Sequence, residues 1–364
     1  MNCGDTSDEI NRRILAVAED RLSGFLVRPF AEIGAACGLP EDVVMERLRA
    51  MLRSGTVLRL RQTLPTTSLT KGCLIAWRVP ETALDTAFNW LEQHDPFTGH
   101  IVIRRAEAGT PGADYRLWTT LKIPAQGASI DEHTQALAAH IGAQDYACMP
   151  VVGMFSLSVG HIRRHGLPPG ALQDTPPAMQ TPPQLQLTPE EWETLLTFRR
   201  PLAEDEISPY PWEARAAALG MPPERFYSIA SSLAQRGALG RFAALLNHTA
   251  THHTGTGASA LFLWAVAPGQ EETAGSICGQ HICMTHCYWR SGAERFGGAQ
   301  IMGVVHAPTV EQLLAHKSAI DSALRRHGIS LLHTALFHTV KSCIRPSEFE
   351  PRKWASWIKR FAPC

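Results

Sequence analysis

The chain has 364 residues, enough for two or more domains, and at 45% hydrophobic and 19% charged it has the composition of an ordinary globular protein. Lys+Arg and Asp+Glu both total 34, so the formal net charge is zero. That balance argues against a dedicated nucleic-acid binder, although a local basic patch stays open.

In chain order, Met1 to Asp8 is polar and acidic with no apolar stretch behind it, so no secretory signal is expected. Asp8 to Glu19 reads as an amphipathic helix, with Ile10, Ile14, Leu15 and Val17 near helical spacing. Pro29 opens a second helix at its first turn, and Gly38 ends it. Pro40-Glu41-Asp42 opens a third, running to about Arg53, before Gly55 and a β-rich stretch from Thr56 to Leu60. Three short helices, a glycine turn and a strand form the winged helix-turn-helix pattern. Then follow a strand (Cys73 to Val79), a helix (Glu81 to Gln93), strands at Gly99 to Arg105 and Tyr115 to Ile123, a helix (Ile130 to His140) and a strand (Val151 to Val159). That β-α-β-β-α-β order is ferredoxin-like. His165 to Pro189 is rich in Pro, Gln and Thr and reads as an extended linker rather than a packed element. No apolar run of about 18 residues occurs, so no membrane span is expected. Without an export signal, the nine cysteines read as reduced thiols in a cytoplasmic protein.

The chain is one unit written twice. Phe30 and Trp212, Gly38 and Gly220, Gly55 and Gly237, and Arg59 and Arg241 are each 182 residues apart. Leu74-Ile75-Ala76-Trp77 answers Leu261-Phe262-Leu263-Trp264, and Phe155 answers Phe337. Gly99-His100 followed by Arg104 answers Thr285-His286 followed by Arg290, both at an offset of 186. In the second copy the strands fall at 259–266, 283–290, 299–306 and 331–340, with helices at 269–280 and 309–326. The expected class is α+β: two tandem units, each a winged helix-turn-helix followed by a ferredoxin-like domain. The expected boundaries are 8–62 and 68–164, a linker at 165–188, then 189–247 and 257–346, with a C-terminal tail at 347–364.

On a strand, residues two apart share a face. His286, Tyr288 and Arg290 therefore project together, Cys287 and Trp289 point the other way, and His306 on the next strand can join the first face. In the first copy His100, Arg104 and Lys122 hold the corresponding positions, with Val102 where Tyr288 stands and Lys122 where His306 stands. A row of His and Arg on such a strand is more often a solvated or interface-facing row than a site. Cys278, His281, Cys283, His286 and Cys287 have spacings that could bind zinc, but Cys283 and Cys287 share a face that His286 does not, and cysteine is a common core residue. No resident metal is therefore expected. His248, His252 and His253 read as a solvated loop.

A winged helix followed by β-α-β-β-α-β resembles the Lrp/AsnC family. The chain is most similar to an enzymatic branch of it, the sirohaem (siroheme) decarboxylases, whose subunits are paired or fused. The resemblance rests on Arg28-Pro29-Phe30 and Pro211-Trp212, on apolar strands ending at Trp77 and Trp264, on Thr285-His286-Cys287-Tyr288-Trp289-Arg290, and on Met302-Gly303-Val304-Val305-His306-Ala307. It covers nearly the whole chain. It implies a carboxy-lyase of haem or d-type haem biosynthesis that removes the acetate carboxyls at ring positions 12 and 18 of sirohaem, giving didecarboxysirohaem. It also implies no cofactor beyond the iron of the tetrapyrrole. His286 or Tyr288 would donate the proton, Arg290 would clamp a carboxylate, and His306 would act as iron ligand or second acid. His100, Arg104, Lys122 and Trp264 would help bind the substrate. Paired subunits or a homo-oligomer are expected. The alternative is an Lrp/AsnC-type DNA-binding regulator, a tetrapyrrole-sensing one included. The candidate recognition helices speak against it: Glu41, Asp42, Glu46, Arg47, Arg49 and Arg53 are mixed in sign, and the helix after Pro222-Pro223 is mostly neutral.

Overall fold

The computed structural model describes residues 5–157, 160–164, 166–247 and 257–362. The chain forms two compact units. One comprises Met1–Thr67, Val159–His165 and Pro182–Thr256; the other comprises Ser68–Ser158, Gly166–Thr181 and Gly257–Cys364. Each unit is built from both copies of the repeat.

The first unit begins with α1 (Glu9–Ala18), whose N-terminal N–H groups at Ile10 and Asn11 are accepted by the Asp8 carboxylate. Pro29 starts α2 (Pro29–Cys37), and Gly38, at φ 65°, ends it in the left-handed region. α3 (Glu41–Arg53) and strand β1 (Val57–Gln62) follow. A four-residue turn of helix, α6 (His161–Arg164), packs against α1, and the Glu19 carboxylate accepts the backbone N–H of Ile162 at 2.8 Å. The second copy supplies α7 (Pro189–Thr197), α8 (Glu213–Ala218), α9 (Pro223–Gln235) and β6 (Phe242–Leu246). β1 and β6 pair antiparallel, with Leu60 opposite Ala244. The repeated aromatic explains itself here: Phe30 and Trp212 are both fully buried, and Trp212 donates its indole N–H to the Leu26 carbonyl at 2.8 Å.

The second unit is a closed eight-stranded barrel. The first copy contributes β2 (Thr70–Arg78), β3 (Thr98–Arg105), β4 (Leu117–Pro124) and β5 (Asp145–Leu157). The second contributes β7 (Ala258–Val266), β8 (Met284–Arg290), β9 (Ile301–Ala307) and β10 (Leu331–Ile344). The order round the barrel is β10-β3-β4-β2-β5-β8-β9-β7. Two long strands close it. β5 pairs with β2 through residues 145–150 and with β8 through 151–157. β10 pairs with β7 through 331–338 and with β3 through 338–344. The sequence places the start of β5 at Val151, but the strand begins at Asp145. Pro150 sits where β5 changes partner, opposite Cys73, and its carbonyl accepts the N–H of Ser291 at 3.2 Å.

Helices cover the outer face. Over the first copy lie α4 (Leu84–His94), α5 (Ile130–Ile141) and α12 (Pro351–Phe361), enclosing Ile75, Trp77, Leu121 and Trp357. Residues 347–364 were expected as a tail, yet α12 is anchored. Trp354 donates its indole N–H to His133 Nδ1 at 3.1 Å, and the His133 ring stacks on Trp357 with centroids 4.2 Å apart. Over the second copy lie α10 (Glu271–Gln280) and α11 (Val310–Arg326), enclosing Phe262, Trp264, Cys278 and Ile320. Inside the barrel, an apolar cluster of Trp118, Met149, Leu263, Phe296, Met302 and Phe337 spans both copies. Among the described residues no helix is long and apolar enough to cross a membrane.

The proline-rich segment is extended, but its stretch from Gly166 to Thr181 packs onto this unit. Met154 and Gln180 exchange backbone hydrogen bonds of 3.0 and 2.8 Å, and Ile282 donates to the Ala171 carbonyl at 3.0 Å. Beneath it His281 is 2% exposed, and burial, with His316 and Arg326 nearby, holds its pKa down to about 4. Its folded pKa lies below the unfolded value of about 6.5, so the unfolded chain binds the extra proton. Stability is therefore expected to fall as the pH drops from 6.5 towards 4. In His281→Phe that fall should be shallower, which melting temperatures at pH 7 and pH 5 will show.

Candidate active site

Strand alternation sets the site. On β8 the side chains of Cys287 and Trp289 enter the outer core beneath α10, and the Cys287 thiol donates to the Gly275 carbonyl at 3.7 Å. His286, Tyr288 and Arg290 consequently face the barrel interior. Pairing agrees: Tyr288 lies opposite Met302 and His286 opposite Val304, both members of the interior set. The row expected from the sequence is thus present, and its outward neighbours account for the cysteines. Cys278, Cys283 and Cys287 lie in the outer core, away from the face that His286 occupies.

Within the row, the His286 and Tyr288 rings lie near parallel, 20° apart with centroids at 6.3 Å. The guanidinium of Arg290 sits 4.6 Å from the centre of the Tyr288 ring and donates from Nη1 to the Met149 carbonyl at 2.9 Å. Burial lowers the pKa of Arg290 and raises that of Tyr288, so the phenol keeps its proton at neutral pH. Thr285 Oγ1 lies 3.1 Å from His286 Nδ1 and donates to the Val304 carbonyl at 2.9 Å, tying β8 to β9 beside the imidazole. His306, two residues beyond Val304 on β9, faces the same interior.

The first copy presents the matching row. His100, Val102 and Arg104 face inwards from β3, and Lys122 from β4. His100 Nε2 lies 2.8 Å from Ser342 Oγ, and Arg104 donates from Nη1 to Thr339 Oγ1 at 3.0 Å. Arg104 is 5% exposed, and burial pushes its pKa down to about 9. The Lys122 ammonium lies 5.7 Å from the centre of the Phe349 ring. β3 and β8 are four strands apart in a ring of eight, so Arg104 and Arg290 stand on opposite walls.

Two properties mark this interior as a candidate site. His100, Arg104, Lys122, His286, Arg290 and His306 all face inwards, and none of the residues paired with them across neighbouring strands is acidic. Among the described residues neither buried arginine has an ion-pair partner, and each leaves a buried Nε–H without an acceptor. A buried guanidinium without an anion is costly, so the arrangement is one that an anionic ligand would complete. Meanwhile His286, Tyr288, His306, His100 and Lys122 are only half-buried, so water reaches the row from inside the barrel.

Trp264 does not join them. It points to the outer layer, fully buried, and donates its indole N–H to Asp321 Oδ1 at 2.6 Å beneath the ammonium of Lys317. The placement with the substrate is corrected here: β7 is apolar on both faces, so the sequence gives no sign of which face a residue takes. Trp264→Phe is expected to cost about 1–3 kcal/mol of stability by removing the indole's hydrogen bond to the half-buried Asp321 carboxylate, which Lys317 still holds, with binding inside the barrel unchanged. Denaturant unfolding and a ligand titration on the same variant measure the two. His248, His252 and His253 lie outside the described residues. The sequence reading missed Thr339, Ser259 and Ser342, which face inwards beside the basic row; hydroxyl residues on strands carry no motif.

No protein-family model matches the chain. It is 25% identical over 327 residues to a siroheme decarboxylase of Hydrogenobacter thermophilus, covering 88% of this chain and 91% of that protein. It is also 25% identical over 146 residues to the siroheme decarboxylase beta subunit of Desulfovibrio desulfuricans, covering 40% of this chain and 88% of the subunit. In fold it matches the crystal structure of the siroheme decarboxylase NirDL with a TM-score of 0.66 at 20% identity, over 96% of this chain and 98% of that one. The complex of NirDL with an iron-uroporphyrin III analogue matches with a TM-score of 0.64, over the same shares of both chains. Over nearly its whole length this chain is therefore similar to a siroheme decarboxylase in sequence and to the siroheme decarboxylase NirDL in fold.

Proposed function

We propose that this protein is a sirohaem decarboxylase, a carboxy-lyase that removes acetate carboxyl groups from an iron tetrapyrrole in haem or d-type haem biosynthesis. The observation that carries the reading is the barrel interior: two opposed, buried arginines that have no ion-pair partner among the described residues, in a wall that also carries inward-facing histidines and a lysine. Sirohaem is a flat macrocycle edged with carboxylates, which is the charge pattern such a wall takes. The sequence relative named for this activity and the NirDL structure holding an iron-uroporphyrin III analogue support it.

The chemistry is simple in outline. A carboxylate held by an arginine loses carbon dioxide, and the electron pair of the broken bond passes to the methylene carbon and is delocalised into the adjacent pyrrole. One proton then reaches that carbon and makes it a methyl. His286 or Tyr288 supplies it as general acid, Tyr288 being held as the neutral phenol by burial. Arg290 clamps the carboxylate, and His306 serves as iron ligand or second acid. His100, Arg104 and Lys122 bind the remaining carboxylates. Two such steps, at ring positions 12 and 18, give didecarboxysirohaem.

Each copy is read as a winged helix-turn-helix followed by a ferredoxin-like domain. Three helices and a strand recur in the first unit, and in the barrel each copy keeps the order fourth-first-third-second among its own strands. The regulator reading is not favoured. Arg47 pairs with Asp8 at 3.1 Å, Arg53 with Glu204 at 2.6 Å, Arg225 with Glu190 at 2.5 Å and Arg236 with Glu191 at 2.5 Å, so two of the three arginines of α3 and those of α9 and its end are engaged by nearby acids, while Arg49 donates to the Ile207 carbonyl. Pairing with a second decarboxylase subunit, or with another copy of this chain, is also proposed on the strength of the beta-subunit relative.

Anaerobic incubation with sirohaem tests the activity. Mass analysis should show the loss of one and then two carbon dioxide units. A chain that shifts the visible spectrum of sirohaem but never releases carbon dioxide would bind a tetrapyrrole without being this enzyme.

A further inference from the structure

The repeat suggests that each copy owns a site. The strand registers say otherwise. Thr339 of β10 lies opposite Arg104 of β3 and hydrogen-bonds its guanidinium at 3.0 Å. On the other side of β10, Thr339 Oγ1 donates to Ser259 Oγ of β7 at 3.4 Å, and Ser259 lies opposite His306 of β9. Arg104, Thr339, Ser259 and His306 thus form one lateral row across four neighbouring strands, with an arginine from the first copy and the rest from the second.

The mirror row has the same ends and a different middle. Arg290 of β8 lies opposite Val151 of β5, while Gly72 of β2 lies opposite Lys122 of β4. Cys73 is opposite Pro150, so the register brings Gly72 beside Val151. That row also joins one copy's arginine to the other copy's basic residue, but its two middle positions carry no hydrogen-bonding side chain. Arg290 is held instead by the Met149 carbonyl and the face of Tyr288.

We propose that the carboxylate seat containing His306 is composite. Arg104 of the first copy is its anion anchor, and Thr339 with Ser259 are positioning residues that hold the guanidinium in the row. The inference rests on the tetrapyrrole reading above but extends it to which residues work together. Hydroxyls in the middle of the row fit this role. Thr339 accepts from Arg104 and donates its own O–H to Ser259, so both lone-pair and donor demands are met without an acid that would compete with the ligand. The Nε–H of Arg104 is buried without an acceptor, which leaves a donor for the incoming carboxylate.

The test uses the full chain with two readouts. Iron uroporphyrin III is the binding probe, titrated by visible absorbance, and sirohaem is the substrate. Arg104→Gln should weaken the probe roughly 100-fold and Thr339→Val roughly tenfold, with Thr339→Ser returning to within about twofold of the parent. Thr339→Val should raise KM and spare kcat, a split that a merely structural role would not give. If Thr339→Val does not fold, Ser259→Ala takes its place, with a smaller rise in the same direction. A double-mutant cycle then decides the pairing. The losses in Arg104→Gln and His306→Gln should be non-additive, and those in Arg290→Gln and His306→Gln additive. The reverse outcome, or full affinity in a folded Arg104→Gln, overturns the composite seat. Failure of the unmutated chain to bind the probe or sirohaem would instead remove the tetrapyrrole reading itself.

Discussion

Replacing Glu206 with Leu should cost the first unit about 3–5 kcal/mol and unfold it at ordinary temperatures. The Glu206 carboxylate is 8% exposed and takes both arms of Arg215, at 3.0 and 3.1 Å, along with Arg200. Arg215 is 3% exposed and spends its other donors on the carbonyls of Thr197, Arg200 and Pro201. Removing the carboxylate leaves a fixed cation in a buried place, because an arginine cannot shed its proton to escape. In the double variant Glu206→Leu/Arg215→Met part of the loss should return, since the stranded charge goes, although three carbonyls lose their donor. Urea unfolding of the single and double variants measures both. The pH dependence follows from the same group. Burial opposes ionisation, but hydrogen bonds from Arg215 and Arg200 outweigh it and bring the carboxyl down from 4.5 to about 2. Its contribution is present above the unfolded value and lost as the pH falls from about 4.5 towards 2. Glu206→Gln should lose that acid-dependent component.

The second large effect is at the reacting carbon. If His286 is the proton donor, His286→Ala should lower kcat for carbon dioxide release by roughly 100- to 10,000-fold while the spectral titration with sirohaem stays within a few-fold of the parent. If Tyr288 is the donor, Tyr288→Phe shows that loss, because it removes the O–H and keeps the ring under Arg290. Single-turnover measurements under anaerobic conditions separate the proton step from product release. Two folded variants that both release carbon dioxide at the parental rate would move the chemistry away from β8 altogether.

Much of this arrangement was legible before any coordinates. The period of the repeat, the start of the second helix at Pro29 and its end at Gly38, and the alternation on β8 are local properties, and the structure keeps them. The closure of the barrel was not legible. Pairing of β5 with β8 and of β10 with β3 joins residues far apart in sequence, and β5 runs through Pro150 from one partner to the other. One miss was avoidable. Pro351 followed by Trp354, Trp357, Ile358 and Phe361 has the start signal and spacing of an amphipathic helix, yet the segment was read as a tail. Trp264 failed for another reason: in a strand buried on both faces, apolar residues alone do not say which side is which. Thr339 and Ser259 were out of reach, since only the register brings them between Arg104 and His306.

The two crossing strands also bear on how such a site diverges. In a barrel assembled from two identical chains, every substitution appears on both walls at once, so a change that helps one wall is imposed on the other. Here the walls are encoded separately in one polypeptide, and its covalent continuity keeps the pairings made by β5 and β10 intact at any dilution. Val102 can therefore stand opposite Tyr288, and a glycine-and-valine row opposite a threonine-and-serine row, without either wall constraining its counterpart. Fusion turns a symmetric vessel into one whose two sides are free to take on different steps of the same reaction.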